Sequence, residues 1–238
     1  MLYTNICSLR HKVQHLEWEL QLLPETVAIC LTETHLGSDI YSGELSIKNF
    51  QLFRNDRNIH GGGTAVYIRN DFLANVIPLQ SPSDSLLIYI SSDIVSLYLL
   101  VVYRPPSDNN EFLIPVLLDE VSLLVRKKDL LICGDFNLPN VDWESIVATG
   151  NRKIGKPFVS KITELSLDQH IFCATHNKGN ILDLVMSNRS FVQNVEVAPP
   201  TYSDHSLITV KLALSCQIPD DKNEIKVFVY NQADVKNA

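Results

Sequence analysis

No apolar run in the chain approaches the length of about 18 residues that a membrane-spanning helix needs, so no membrane partner is expected. Cysteines are few and unpaired in pattern. There are five, Cys7, Cys30, Cys133, Cys173 and Cys216, with no CxxC spacing among them. With an odd count and several of them in apolar runs, reduced core cysteines are the expectation. The beginning, MLYTNICSLRHK, lacks the basic-then-apolar order of a secretory signal, which points to an intracellular protein or to a piece of a longer one. An excess of positive charge is also missing. The formal net charge is −7, so no global field advertises a nucleic-acid binder, although a metal ion could still neutralise a phosphate locally.

Several catalytic signatures are absent as well. His60-Gly61-Gly62-Gly63 resembles an oxyanion loop, but the chain has no GxSxG nucleophile turn and no Walker lysine after the glycines. A tight turn is the expectation there. His11 and His15 stand four apart, yet Lys12 occupies the place where an HExxH zinc motif needs glutamate, so the pair reads as a solvated helix face.

What is present is an ordinary globular composition, 45% hydrophobic and 20% charged, without repeats or low-complexity tracts. Leu9, Val13, Leu16, Leu20 and Leu23 form a helical stripe closed by Pro24. Residues 111–128 and FVSKITELSL predict two further helices. VAICLTETHL, GGGTAVYIRN, LLICGDFN, ILDLVMS, VQNVEVA and SLITVKLAL predict strands, and SLLIYI with IVSLYLLVVY predicts a hairpin. Helices and strands do not alternate strictly. The pattern therefore disfavours one parallel doubly wound sheet and fits an α/β protein with a two-sheet core flanked by helices. Residues 1–214 read as one domain and residues 215–238 as a polar tail or linker.

Three strands run apolar and then turn polar at their carboxyl ends: CLTET at Glu33, LLVVYRPP at Tyr103 and Arg104, and LLICGDFN at Asp135 and Asn137. Asp135 and Asn137 should share one face if the extended geometry continues through Phe136, and Gly134 admits a close ligand or backbone. Ser203-Asp204-His205 precedes the last strand. Taken singly, each cluster reads as a turn, a cap or a structural histidine. Together at strand ends they suit phosphoester hydrolysis: Glu33, Asp135 and Asp204 could supply the carboxylates for Mg2+, and the remainder a base and charge stabilisers.

The ordered series Asn5 in YTNICSL, Glu33 in LTETHL, Tyr103 in YRPPS, GDFN, Asp183 in ILDLVMSN and SDH resembles the endonuclease/exonuclease/phosphatase superfamily. Within it, HGGGTAVYIR, GDFNLPNVDW and YSDHSLI look most like the apurinic-type endonuclease domain of non-LTR, LINE-like retrotransposons. The resemblance implies a four-layer αββα sandwich of two mixed sheets packed face to face with helices outside. It implies Mg2+, with Mn2+ as substitute, DNA as substrate, nicking that leaves a 3′-hydroxyl, a reverse transcriptase domain in a full-length parent, a monomer and a nuclear location. Glu33 would be the principal metal ligand with Asn5 and Asp204 near the metal. Asp135 would deprotonate or orient water, and Asn137 would help place it. His205, held by Asp183, would stabilise phosphoryl oxygens, and Tyr103 would contact the phosphate or the leaving oxygen. Arg104 and Ser203 would bind substrate, and Arg54, Arg57, Arg69 and the RKIGK segment would form a basic rim. Beginning so close to Asn5, the chain is expected to lack most of the first strand and to expose a sheet edge. A phosphatase or phosphodiesterase for lipids or nucleotides, and an inactive relic, are the competing readings.

Overall fold

Long apolar strands without polar alternation fold when both of their faces are covered, and that is how this chain uses them. The structure is a computed structural model and describes residues 1–81, 83–93, 95–125, 128–149 and 154–213. In chain order the elements are β1 (Leu2–Asn5), α1 (Val13–Leu22), β2 (Ala28–Thr32), β3 (Phe50–Asn55), β4 (Thr64–Arg69), β5 (Leu73–Ile77), β6 (Asp84–Ser91) and β7 (Ser96–Tyr103). They continue with α2 (Leu113–Val125), β8 (Leu130–Asp135), the short pair β9 (Val141–Asp142) and β10 (Val147–Ala148), and α3 (Gly155–Glu164). Last come β11 (Asp168–Gln169), β12 (Asp183–Ser187), β13 (Val192–Val197) and β14 (Ile208–Leu212).

Two mixed six-stranded sheets result, in the orders β13-β14-β1-β2-β4-β3 and β11-β12-β8-β7-β6-β5. Strand period sorts the side chains into layers. Tyr3, Cys30, Val66 and Ile208 of the first sheet meet Ile88, Leu99, Val101, Cys133 and Val185 of the second in a central core. On the outer face of the first sheet, Leu2, Ile29, Leu31 and Tyr67 pack with Leu9 and Leu16 from α1 and its approach. Leu100, Ile132 and Met186 on the outer face of the second pack against Leu117 and Val121 of α2 and Phe158 and Ile162 of α3. The architecture is the expected α/β four-layer sandwich.

The hairpin β6–β7 forms in the expected place, with Ile88 opposite Leu99. The first helix starts later than its apolar stripe. Cys7 and Ser8 adopt positive φ values of 45° and 79°, which turn the chain before α1 can begin. The expected loss of the first strand does not expose an edge. Leu2–Asn5 is buried throughout and paired on both sides, parallel to β2 and antiparallel to β14. β3, read from sequence as loop, is an edge strand on β4. Cys30 and Cys133 are buried, Cys7 and Cys173 are exposed, and Cys216 lies outside the described residues, as does the proposed tail.

Gly134 faces a neighbouring strand, not a ligand. A Cβ there would sit 2.0 Å from the Val102 carbonyl oxygen across the β7–β8 pair. Gly134→Ala must push these two central strands apart, and urea unfolding is expected to show a loss of about 3 kcal/mol. A loss under half of that would mean that the strands separate freely.

Candidate active site

The two sheets bring their polar ends to one edge of the sandwich. Parallel pairing places Asn5 of β1 beside Thr32 at the end of β2, and Tyr103 of β7 beside Asp135 of β8. Antiparallel pairing of β12 with β8 sets Asp183 opposite Asp135. The turn before β14 then delivers His205 to the same end, because β14 runs antiparallel to β1.

Asn5 is the hub. Its Nδ2 donates to Glu33 Oε1 at 3.0 Å and to Asp135 Oδ2 at 2.9 Å, and lies 3.5 Å from His205 Nε2. Its Oδ1 accepts the Cys7 N–H at 3.2 Å, which fixes the amide's orientation. Asn5 therefore turns donors, not its oxygen, toward the carboxylates. Expected near the metal, it bridges Glu33, the expected principal metal ligand, to Asp135.

Asp183 and His205 form the expected pair, with Nδ1 2.7 Å from Oδ2. Tyr3 donates to the other carboxylate oxygen at 2.7 Å, and Thr175 Oγ1 accepts the Asp183 N–H at 3.0 Å. Burial works against a charge on His205. The Asp183 hydrogen bond and charge, with Asp135 and Asp204, outweigh it and lift the imidazole to about 9, so it is cationic at neutral pH. Asp135 is wholly buried. Burial and then the charge of Asp183 push its carboxyl well above the usual range, against His205 and the Asn5 bond. Tyr103 is also raised, by burial and by Glu33 beside it, and so keeps its proton.

Glu33 sits just past β2 in a left-handed conformation, φ 50°, that a glutamate adopts only under constraint. The constraint is visible: Thr34 and His35 N–H groups bond to the Gly63 and Gly62 carbonyls, and Gly62 and Gly63 are the turn expected of the glycine run. Asp204 is less central. It pairs with His176 at 3.1 Å on the exposed side of His205, and burial is outweighed by its own backbone N–H and the two histidines, so its pKa is lowered. Of the groupings that could hold a metal among the described residues, one sets Glu33 with Cys7 and His35, another Asp204 with His176 and His205.

The expectation that Asp135 and Asn137 share a face fails because Asn137 has φ 50°, which ends the extended geometry. Its N–H caps Asp135 Oδ1 at 3.1 Å while its side chain donates to the Arg104 carbonyl. Arg104 is not free to bind substrate. It is 2% exposed, and its guanidinium donates to the carbonyls of Phe136, Asn137 and Asp108, holding the loop after β8. Ser203 likewise serves the fold, donating to the Asn5 carbonyl and accepting the His205 N–H. The basic rim is largely neutralised too: Arg54, Arg57 and Arg69 pair with Asp56, Asp84 and Asp71, while Arg152 and Lys153 lie outside the described residues.

Tyr3, Thr175, His176, His35 and Cys7 were not found from sequence. THNKGN carries a histidine but no spacing that ties it to SDH 28 residues on. Tyr3 is recognisable only by alternation, two residues before Asn5 on the same face.

The donor set fits a hard divalent ion. Asp183 and Glu33 add negative charge around the buried Asp135, whose raised carboxyl records a strain that a cation would relieve. One or two carboxylates completed by water and phosphate are what Mg2+ takes.

Comparisons with known proteins agree with this fold. Residues 97–209 match the family model described as endonuclease-reverse transcriptase. No curated protein matches the sequence. Among solved structures, the endonuclease domain of TRAS1, a telomere-specific non-LTR retrotransposon, is 15% identical with a TM-score of 0.67, over 90% of this chain and 97% of that one. An AP endonuclease from Archaeoglobus fulgidus is 14% identical with a TM-score of 0.64, over 90% and 98%. A 3′ phosphatase from Neisseria, bound to a product DNA hairpin, is 16% identical with a TM-score of 0.67, over 89% and 98%. At such identities the structures speak for the fold, and the sequence match from β7 to the start of β14 supports the resemblance to the endonuclease/exonuclease/phosphatase superfamily.

Proposed function

We propose that the chain is a Mg2+-dependent DNA endonuclease of the target-nicking retrotransposon type, hydrolysing a phosphodiester to leave a 3′-hydroxyl. The observation that carries this reading is the meeting of Glu33, Asp135 and the Asp183–His205 pair around Asn5, at the polar end of both sheets. Glu33 would hold the metal, which when bound neutralises phosphate oxygens and lets an acidic protein approach DNA.

The rest of the work falls to side chains. Asp135, made basic by burial, takes a proton from the water that attacks phosphorus. The bond from phosphorus to the 3′ oxygen breaks, and that oxygen takes a proton from solvent to become the 3′-hydroxyl. His205 donates from Nε2 to a phosphoryl oxygen and, being cationic, offsets the growing charge. Asp183 fixes the imidazole by taking Nδ1, and Tyr103 remains a phenol that donates to the phosphate or the leaving oxygen. Asn5 keeps Glu33 and Asp135 in register with one another. Asn137 supports Asp135 through its backbone N–H. Asp204, at the rim with His176, is placed to steer water or an outer metal ligand. The same reading has the protein acting as a monomer in the nucleus, joined to a reverse transcriptase in a full-length parent.

Metal removal tests it. EDTA is expected to abolish nicking of supercoiled plasmid, and Mg2+ or Mn2+ to restore it. Nicking that continues in EDTA would sink the assignment. Preferential hydrolysis of small phosphomonoesters would turn it into the phosphatase reading.

A further inference from the structure

We propose that Cys7, Glu33 and His35 form a site for a thiophilic divalent cation of the zinc class, overlapping the Glu33 carboxylate, and that its occupancy shuts the enzyme off. The inhibitory half rests on the nuclease reading above, while the binding half does not.

The three donor atoms lie within 4.8 Å of one another. Around tetrahedral zinc a sulfur and a nitrogen ligand stand about 3.6 Å apart, so small side-chain rotations close the site. Glu33 divides its carboxylate between two neighbourhoods. Oε1 accepts from Asn5 on the Asp135 side, whereas Oε2 is 3.3 Å from His35 Nε2. Cys7 is exposed, which leaves an entry path and room for water as a fourth ligand.

The backbone holds these residues in place before any metal arrives. Cys7, Glu33 and His35 all have positive φ, at 45°, 50° and 50°. The two loops that carry them are stitched together by Ser8 N–H to Glu33 O at 2.8 Å and Leu9 N–H to Thr34 O at 3.0 Å. The second loop is further tied to the glycine turn by His35 N–H to Gly62 O at 3.1 Å. Ordering costs are thus met by the fold.

Ligand chemistry then sorts the ions. Thiolate and imidazole favour zinc over magnesium, so excess Mg2+ does not compete for this position. A dication on Oε2 repels a second one at Oε1 and withdraws charge from it, weakening the grip of Glu33 on Mg2+.

Co2+ serves as a visible probe for zinc. With Mg2+ in excess, the full chain is expected to bind Co2+ with a thiolate-to-metal charge-transfer absorption that Zn2+ bleaches. Cys7→Ser and His35→Ala should lose it, with affinity lower by at least about 100-fold, more than an outer contact is worth. Cys173→Ser, which removes the other exposed described cysteine, should keep it. Zn2+ should inhibit wild-type nicking, and Cys7→Ser, equally active without zinc, should resist. Absence of the absorption, or its persistence in both site variants, overturns the site. An absorption that depends on Cys7 while zinc leaves nicking untouched overturns the inhibition alone. If the wild type never nicks, the function proposed above is what fails, and the cobalt spectrum still decides the site.

Discussion

Asp135→Ala is expected to lower plasmid nicking by about 10^4-fold at neutral pH, the upper range for losing a positioned general base. Two losses combine in that figure. The variant has no group to take the proton of the attacking water, and it abandons the Asn5 amide, which accepts its orientation partly from Asp135 Oδ2 at 2.9 Å. Glu33 shares that amide, so its position loosens as well. The fold should survive, and its pH dependence supplies an independent readout. Asp135 is protonated more readily in the folded chain than in the unfolded one, where its pKa is about 3.9. The folded state therefore binds the extra proton, and wild-type stability falls as pH rises from that value through the raised one. The alanine protein lacks this loss. Its stability relative to wild type should improve with rising pH, while a parallel pair of curves would show that Asp135 is not held as a strained base.

The sequence carried more of the layers than of the contacts between them. Runs such as LLIC in β8 and LYLLVVY in β7 lack polar alternation because each lies inside a sheet covered on both faces, and that signal survives without knowledge of the partner strand. Phe50–Asn55 hid because an edge strand has one half-exposed face and little apolar contrast. β1 was misplaced for another reason. Its neighbours are β2 and β14, one near in sequence and one about two hundred residues away, and only the long-range pairing turns a short beginning into the middle of a sheet.

Site residues followed the same division. Glu33, Asp135 and His205 were legible as polar clusters at strand ends and beside the last strand, whereas Asp183, which opens β12, entered only through the family resemblance. The orientation of the Asn5 amide was not, since it depends on the Cys7 N–H taking the oxygen. Nor was the fate of Arg104. An arginine after a strand reads as a phosphate ligand until three carbonyls are found around it. Cys7 and His35 carry no spacing rule at all, being joined by two loops that hydrogen bonds latch together.

Asp183→Asn should separate the charge on His205 from its position. The asparagine keeps the volume and an acceptor for the Tyr3 hydroxyl, so the core beneath the site is conserved. What disappears is the main support of the imidazolium. Burial is then opposed only by the more distant charges of Asp135 and Asp204, and the His205 pKa should drop from about 9 toward its ordinary value of about 6.5. Nicking at pH 8 is expected to fall by about 10^3-fold, comparable to roughly 4 kcal/mol of transition-state stabilisation. The alkaline limb of the pH profile should move down by two units or so, in step with the imidazole titration followed by NMR. Stability follows the same sign as for Asp135. A folded pKa raised above the unfolded one contributes stability that is fully present below about 6.5 and lost as pH rises through about 9. The wild type should thus exceed the variant by about 2–3 kcal/mol at pH 6, with the gap closing above pH 9. An alkaline limb that stays in place while activity falls would assign that limb to another group and leave Asp183 as a positioning residue only. A limb and a titration that move together would make the cation on His205 the charge that meets the phosphate.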